Sequence, residues 1–156
     1  MANLIAAKSV YQTIVSALDN KEWKYQSDRD NLRFHISFST DDLDVKIIIA
    51  VDAERDLVRL ISILPFTFPE DKRVEGALAA TIANHGMIHG SFDFDLGDGQ
   101  MLLKLTNSYK GGPIDDETVH YLLGIAVGTI DKYDDQFLAI AKGYMSISDF
   151  IDKENE

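Results

Sequence analysis

The chain has 156 residues, is 46% hydrophobic and 26% charged, contains no cysteine, and carries a formal net charge of −11. That apolar content offsets chain entropy and excludes wholesale disorder, while the lack of thiols excludes disulfides, cysteine nucleophiles and Cys-ligated zinc or iron–sulfur centres and fits a reducing compartment. Residues 1–69 carry 8 basic and 10 acidic side chains (net −2) and residues 70–156 carry 7 and 16 (net −9), so no basic face is predicted for nucleic acid or an anionic membrane.

In chain order, Leu4, Ala7, Tyr11, Ile14, Val15 and Leu18 recur at helical spacing and predict a first helix over 3–19, ended by Asp19 and Asn20. This opening segment is amphipathic, without a basic head or continuous apolar run, so it does not read as a signal peptide. Trp23–Tyr25 opens a short strand. Leu32, Phe34, Ile36 and Phe38 then alternate with Arg33, His35 and Ser37, the period-two pattern of a strand with one buried and one wet face. Val45–Val51 and Leu57–Leu64 are apolar on both faces, and the intervening turn is too short for anything but an antiparallel meander.

Pro69 suits the first turn of a second helix, with Glu70 and Asp71 complementing its positive end. Val74, Ala77, Leu78, Thr81 and Ile82 form its predicted apolar stripe, and Gly86 or Gly90 its stop. Phe92, Phe94 and Leu96 alternate with Asp93 and Asp95, Asp98-Gly99 marks a hairpin, and Met101, Leu103 and Leu105 return. The third helix is predicted over about 116–142, with Asp115 as N-cap and a stripe through Val119, Leu122, Leu123, Ala126, Ile130, Tyr133, Phe137 and Ile140. At ~1.5 Å per residue it would span roughly 40 Å, more than a small domain's width. It is therefore expected to bend, to break near Gly124 or Gly128, or to project toward a partner. Residues 146–152 suggest one more helical turn, and 152–156 a flexible acidic tail. The whole, 1–156, reads as one α+β domain: an antiparallel sheet meander with three main helices.

Candidate chemistry is sparse. His85 and His89 would share a face of an unbroken helix, but two ligands fall short of the usual metal set and Gly86 threatens the helix. Asp93, Asp95 and Asp98 fail the calcium-loop pattern, which wants Gly at the sixth position and Glu at the twelfth. Asp41, Asp42, Asp44, Asp52, Glu54 and Asp56 sit in turns, where water keeps carboxylates ordinary. No Gly-x-Ser-x-Gly elbow or phosphate loop is present. No catalytic, cofactor or metal residue is assigned.

The informative surplus is apolar. With Val45, Ile47, Ile49 and Val51 facing the helices, Ile48 and Ala50 face away. Either helices cover both faces of the sheet, or one face stays bare and serves a partner. Ile48, Ala50 and Leu60 are the candidate partner-binding residues.

Val45–Asp52, Leu57–Leu64 with Pro65 and Pro69, Lys72-Arg73, Asn84, Gly90–Asp95 and Asp98-Gly99 together resemble the YbjN-type family of bacterial sensory transduction regulators, over about residues 10–144. The resemblance implies a fold like that of type III secretion chaperones, proteins that are commonly dimers holding extended segments of other proteins. It carries no catalytic residues. The resulting expectation is a non-enzymatic, cytoplasmic, homodimeric protein-binding regulator or chaperone-like module, whose protein partner is an extended or basic segment. The alternative is a small-ligand sensor or enzyme with a pocket near Trp23, His85 and His89.

Overall fold

In the computed structural model, residues 2–156 are described; Met1, with which the expected domain begins, lies outside them. Helix α1 (Leu4–Asn20) leads into four strands, β1 (Tyr25–Asp28), β2 (Arg33–Phe38), β3 (Val45–Asp52) and β4 (Leu57–Thr67). A 3-10 turn over Glu70–Lys72 opens α2 (Arg73–His85), followed by β5 (Ser91–Phe94), β6 (Gln100–Ser108), α3 (Asp116–Ala141) and α4 (Ile147–Glu154).

All pairings are antiparallel, in the order β1-β2-β3-β4-β6-β5. The meander therefore ends at β4, and α2 carries the chain past the position of β6 before the β5–β6 hairpin fills it. The expected α+β architecture is the one observed. Pro65 lies inside β4, where its missing N–H coincides with the register shift between Ile63 and Thr67.

Every strand contributes one parity of side chains to a single core. Phe34, Ile36, Val45, Ile47, Ile49, Val58, Leu60, Leu64, Met101, Leu103 and Leu105 are buried together with residues of all four helices. The helices thus roof one face of the sheet.

Helix α3 is continuous: Asp115 Oδ1 accepts from Thr118 N at 2.8 Å, and buried residues run from Val119 to Ala141. It neither breaks at Gly124 or Gly128 nor leaves the body, because it lies across β3, β4 and β6 with α1 and α2 beside it. Residues through Glu154 are helical, and Tyr133 OH donates to Glu154 Oε2 at 2.8 Å. Helix α4 thus extends into the stretch from about 152 that was read from sequence as a flexible acidic tail. Phe150, fully buried, joins Phe92, Tyr133 and Phe137 in an aromatic cluster with centroids 4.9–6.3 Å apart.

Two predicted stripes are corrected. In α1 the buried set is Ala7, Val10, Tyr11, Ile14, Ala17 and Leu18, whereas Leu4 is exposed. In α2 the phase is rotated: Gly76, Ala79, Ala80 and Ala83 are buried, while Val74 (67%) and Leu78 (47%) face out. Small residues are required because a Cβ on Gly76 would sit 2.6 Å from the Phe94 ring.

Candidate protein-binding face

The second sheet face carries no helix. Register places Gln26, His35, Ile48, Ile61, Lys104 and Ser91 in one row across all six strands. Asp28, Arg33, Ala50, Arg59 and Thr106 form a parallel row. Ile48, Ala50, Ile61 and Leu102 are partly buried, and Ile63 is 41% exposed beside exposed Pro65. Ile48, Ile61, Ile63 and Pro65, with Lys46 and His35, line an open groove of about 750 Å³.

Ile48 and Ala50 therefore lie on the bare face. Leu60 does not: it is 3% exposed, opposes Ile49 and Leu105, and belongs to the helix-covered core. Its neighbours Arg59 and Ile61 hold the outward positions. The two-sided composition of β4 hid this parity, which only pairing with β3 resolves.

The charge of this face also differs from that of the chain. Arg33, Lys46, Arg59 and Lys104 stand among Asp28, Asp52 and Asp93, with Lys104 Nζ 2.6 Å from Asp93. The acidic excess lies elsewhere, so net charge does not select a basic segment for this surface.

The sheet's outer edge at β5 is closed. Asn84 Nδ2 donates to Phe92 O at 2.9 Å, and Phe92 N donates to Asn84 Oδ1 at 2.7 Å. One side-chain amide thereby imitates a neighbouring strand, which blocks strand addition there.

The Trp23/His85/His89 pocket is not assembled. Trp23 packs edge-on against Phe38 and His120, and His120 Nε2 lies 2.7 Å from Ala17 O at the end of α1. Helix α2 ends at exposed His85, with Gly86 as its C-cap, so His85 and His89 share no helical face. His89 instead meets Tyr121 OH at 3.0 Å beside an open depression. Asp93 lies on the outer face of β5 and Asp98 in the turn, as read from sequence, whereas Asp95, expected on the strand, lies just past β5; Asp95 and Asp98 accept from the Gly97 and Gln100 amides of the hairpin turn.

One acidic group is arranged differently from expectation. Asp42 leaves its turn neighbours and meets Asp134 and Asp135 of α3, with one carboxylate oxygen of each within 4.8 Å of the others. Burial pushes the Asp134 carboxyl up to about 6, against the pull of its hydrogen bond from the Asp135 amide, with Asp135, Asp131 and Asp42 adding repulsion. Asp42 is also raised, through its hydrogen bond to Asp135 and the charge there. The signal was present in the sequence: Asp134 falls four residues after Ile130 and three before Phe137, within the apolar stripe of α3.

A six-stranded antiparallel sheet, roofed by helices on one side and bare on the other, defines a one-sided α+β layer protein. Residues 11–139 match the family described as "YbjN: Putative bacterial sensory transduction regulator", and the chain belongs to this family. It is similar in fold to the solved structure described as "Crystal structure of YbjN, a putative transcription regulator from E. coli", at 11% identity and TM-score 0.59, covering 85% of this chain and 89% of that one. The "HopA1-SchA Chaperone-Effector Complex" is similar at 15% identity and TM-score 0.43, covering 88% and 94%. No curated protein matches the sequence. No helix among the described residues is long and apolar enough to cross a membrane.

Proposed function

We propose that this chain is a non-enzymatic, cytoplasmic protein-binding regulator or chaperone-like module that receives an extended, mainly apolar segment of another protein on its bare sheet face. The observation that carries this reading is the outward set Ile48, Ile61, Ile63 and Pro65, in a groove lined by no helix residue, with Ala50 and Leu102 on the same sheet face. Apolar groups at the centre of such a surface, ringed by Arg and Lys, match the layout of an interface core and rim. Near-neutral charge on the face favours an apolar segment over the basic one suggested by net charge. Strand addition is blocked at the capped β5 edge, and the groove opens on the face beside β1, so the segment is taken to lie along the face.

The chain works as a homodimer in this reading. Exposed Val74 and Leu78 of α2, one helical turn apart, offer a second apolar strip, so a copy can pair there while the sheet face stays free.

Light scattering on wild type and Leu78→Glu tests the dimer, and photo-crosslinking with and without Ile48→Asp tests the face. Leu78→Glu is expected to give monomers. A photo-crosslinker at position 61 is expected to capture a protein in native cells, and one at exposed Lys8 is not. A wild-type monomer overturns the dimer. Absence of any capture at 61, or capture that persists in a chain carrying Ile48→Asp, overturns the binding face.

A further inference from the structure

Asp42 sits in the β2–β3 connection, and Asp134 and Asp135 lie near the C-terminal end of α3, so distant parts of the sequence converge on one acidic point. Asp134 is 0% exposed. Its Oδ1 accepts from Asp135 N at 2.8 Å, and its Oδ2 is buried with no hydrogen-bond partner. A buried carboxylate oxygen without a partner is costly and calls for a compensating positive charge.

The protein supplies none. Among the described residues, the salt bridges within 4.0 Å are Arg55–Asp52 and Lys104–Asp93, both elsewhere. Lys132, the basic residue nearest in sequence, holds its ammonium over the Tyr133 ring at 4.9 Å. Asp131 adds one more negative charge to the same end of the helix.

We propose that Asp42, Asp134 and Asp135 form a site for a hard divalent cation of the calcium class. All three donors are carboxylate oxygens, which suit calcium and magnesium rather than zinc or copper. One oxygen of each carboxylate lies within 4.8 Å of the others, close enough for the exposed Asp42 and Asp135 side chains to close on one ion at calcium–oxygen distances of about 2.3–2.6 Å. Magnesium demands near-ideal octahedral geometry at about 2.0–2.1 Å, whereas calcium accepts irregular oxygen sets, which favours calcium at carboxylates drawn from a loop and a helix. Asp42 and Asp135 are exposed, which leaves room for water to complete the shell. The bound ion neutralises Asp134 and fastens the β2–β3 connection to α3. This site is separate from the sheet face and stands whether or not that face binds a protein.

The test is calorimetric titration of the EDTA-treated full chain with CaCl2, alongside thermal melts. One saturable site is expected, with Kd on the order of 10⁻⁴ to 10⁻³ M, the weak end of the calcium range that ligand charge count and site rigidity set. At ~10 mM calcium the melting temperature rises by about 5 °C. Asp42→Asn and Asp135→Asn, at exposed positions, keep the wild-type circular dichroism and weaken calcium at least ~10-fold, one lost charge–charge contact. No saturable heat up to ~10 mM, far above the weakest range cited, overturns the site and leaves three carboxylates sharing a proton. Equal calcium affinity in Asp42→Asn also overturns it, and magnesium binding as tightly as calcium overturns the calcium assignment.

Discussion

Replacing Asp134 by Asn removes a carboxyl whose burial pushes its folded-state value up to about 6 from the ordinary 3.8. An acid raised on folding binds protons more tightly in the native state than in the unfolded chain. By linkage, stability then falls as pH rises from about 4 to about 6 and stays reduced above that. At full strength a shift of this size is worth about 3 kcal/mol. Water around exposed Asp42 and Asp135 screens part of the repulsion, so about 1–2 kcal/mol is expected. Asn keeps the shape, and its oxygen can still accept from the Asp135 amide. In EDTA at pH 8, Asp134→Asn should therefore be more stable than wild type by about 1–2 kcal/mol, or ~3–6 °C in melting temperature for a chain this long. The advantage should shrink below pH 6 and vanish near pH 4. Urea unfolding at pH 4, 6 and 8 measures it. A variant equal to or weaker than wild type at pH 8 would refute the reasoning, because it would mean that the native protein already compensates the charge.

Asn84→Ala removes both hydrogen bonds to Phe92 and leaves backbone groups at a part-buried edge unsatisfied, which should cost about 1–3 kcal/mol in urea unfolding and speed amide exchange at Phe92. Gly99→Ala should destabilise by about 2–4 kcal/mol, since Gly99 has φ +77° and its Cβ would collide with Phe68 O at the β5–β6 turn. Phe150→Ala should cost about 3–5 kcal/mol in the same assay, because Phe150 is fully buried against Tyr133 and Phe137; hydrogen exchange should show α4 released first.

Elements whose signals are local were legible. The alternation Phe34, Ile36, Phe38 set β2, and Asp115 with the long stripe set α3. What failed needed information from across the fold. In α2, bulk was read as burial, yet the packed face is Gly76, Ala79, Ala80 and Ala83, because the Phe94 ring comes so close that larger residues must point outward. Leu60 was misplaced since a strand apolar on both sides has no parity of its own; the pairing of Leu60 with Ile49 supplies it. Asp134 showed half of its signal, a carboxylate within an apolar stripe. The other half, Asp42 closing over it, depends on a loop conformation that no period encodes.

The bare face invites a simpler account, in which Ile48 and Ile61 are kept only for the sheet itself. They are direct cross-strand neighbours, and such a pair stabilises a sheet by about 0.2–1 kcal/mol. The same account extends to Ile63, whose cross-strand neighbour is Leu102, but not to Pro65. Ile63 is 41% exposed beside exposed Pro65, so neither gains much from burial within the chain. A sheet face serving only solvent normally alternates cleanly to polar residues, as β2 does with Arg33, His35 and Ser37. Strands β3 and β4 depart from that rule at the centre of the sheet, where Ile48, Ile61, Ile63 and Pro65 join in one groove. A patch that is contiguous, central and only partly explained by its own cross-strand contacts has the form of a surface shaped for something outside the chain.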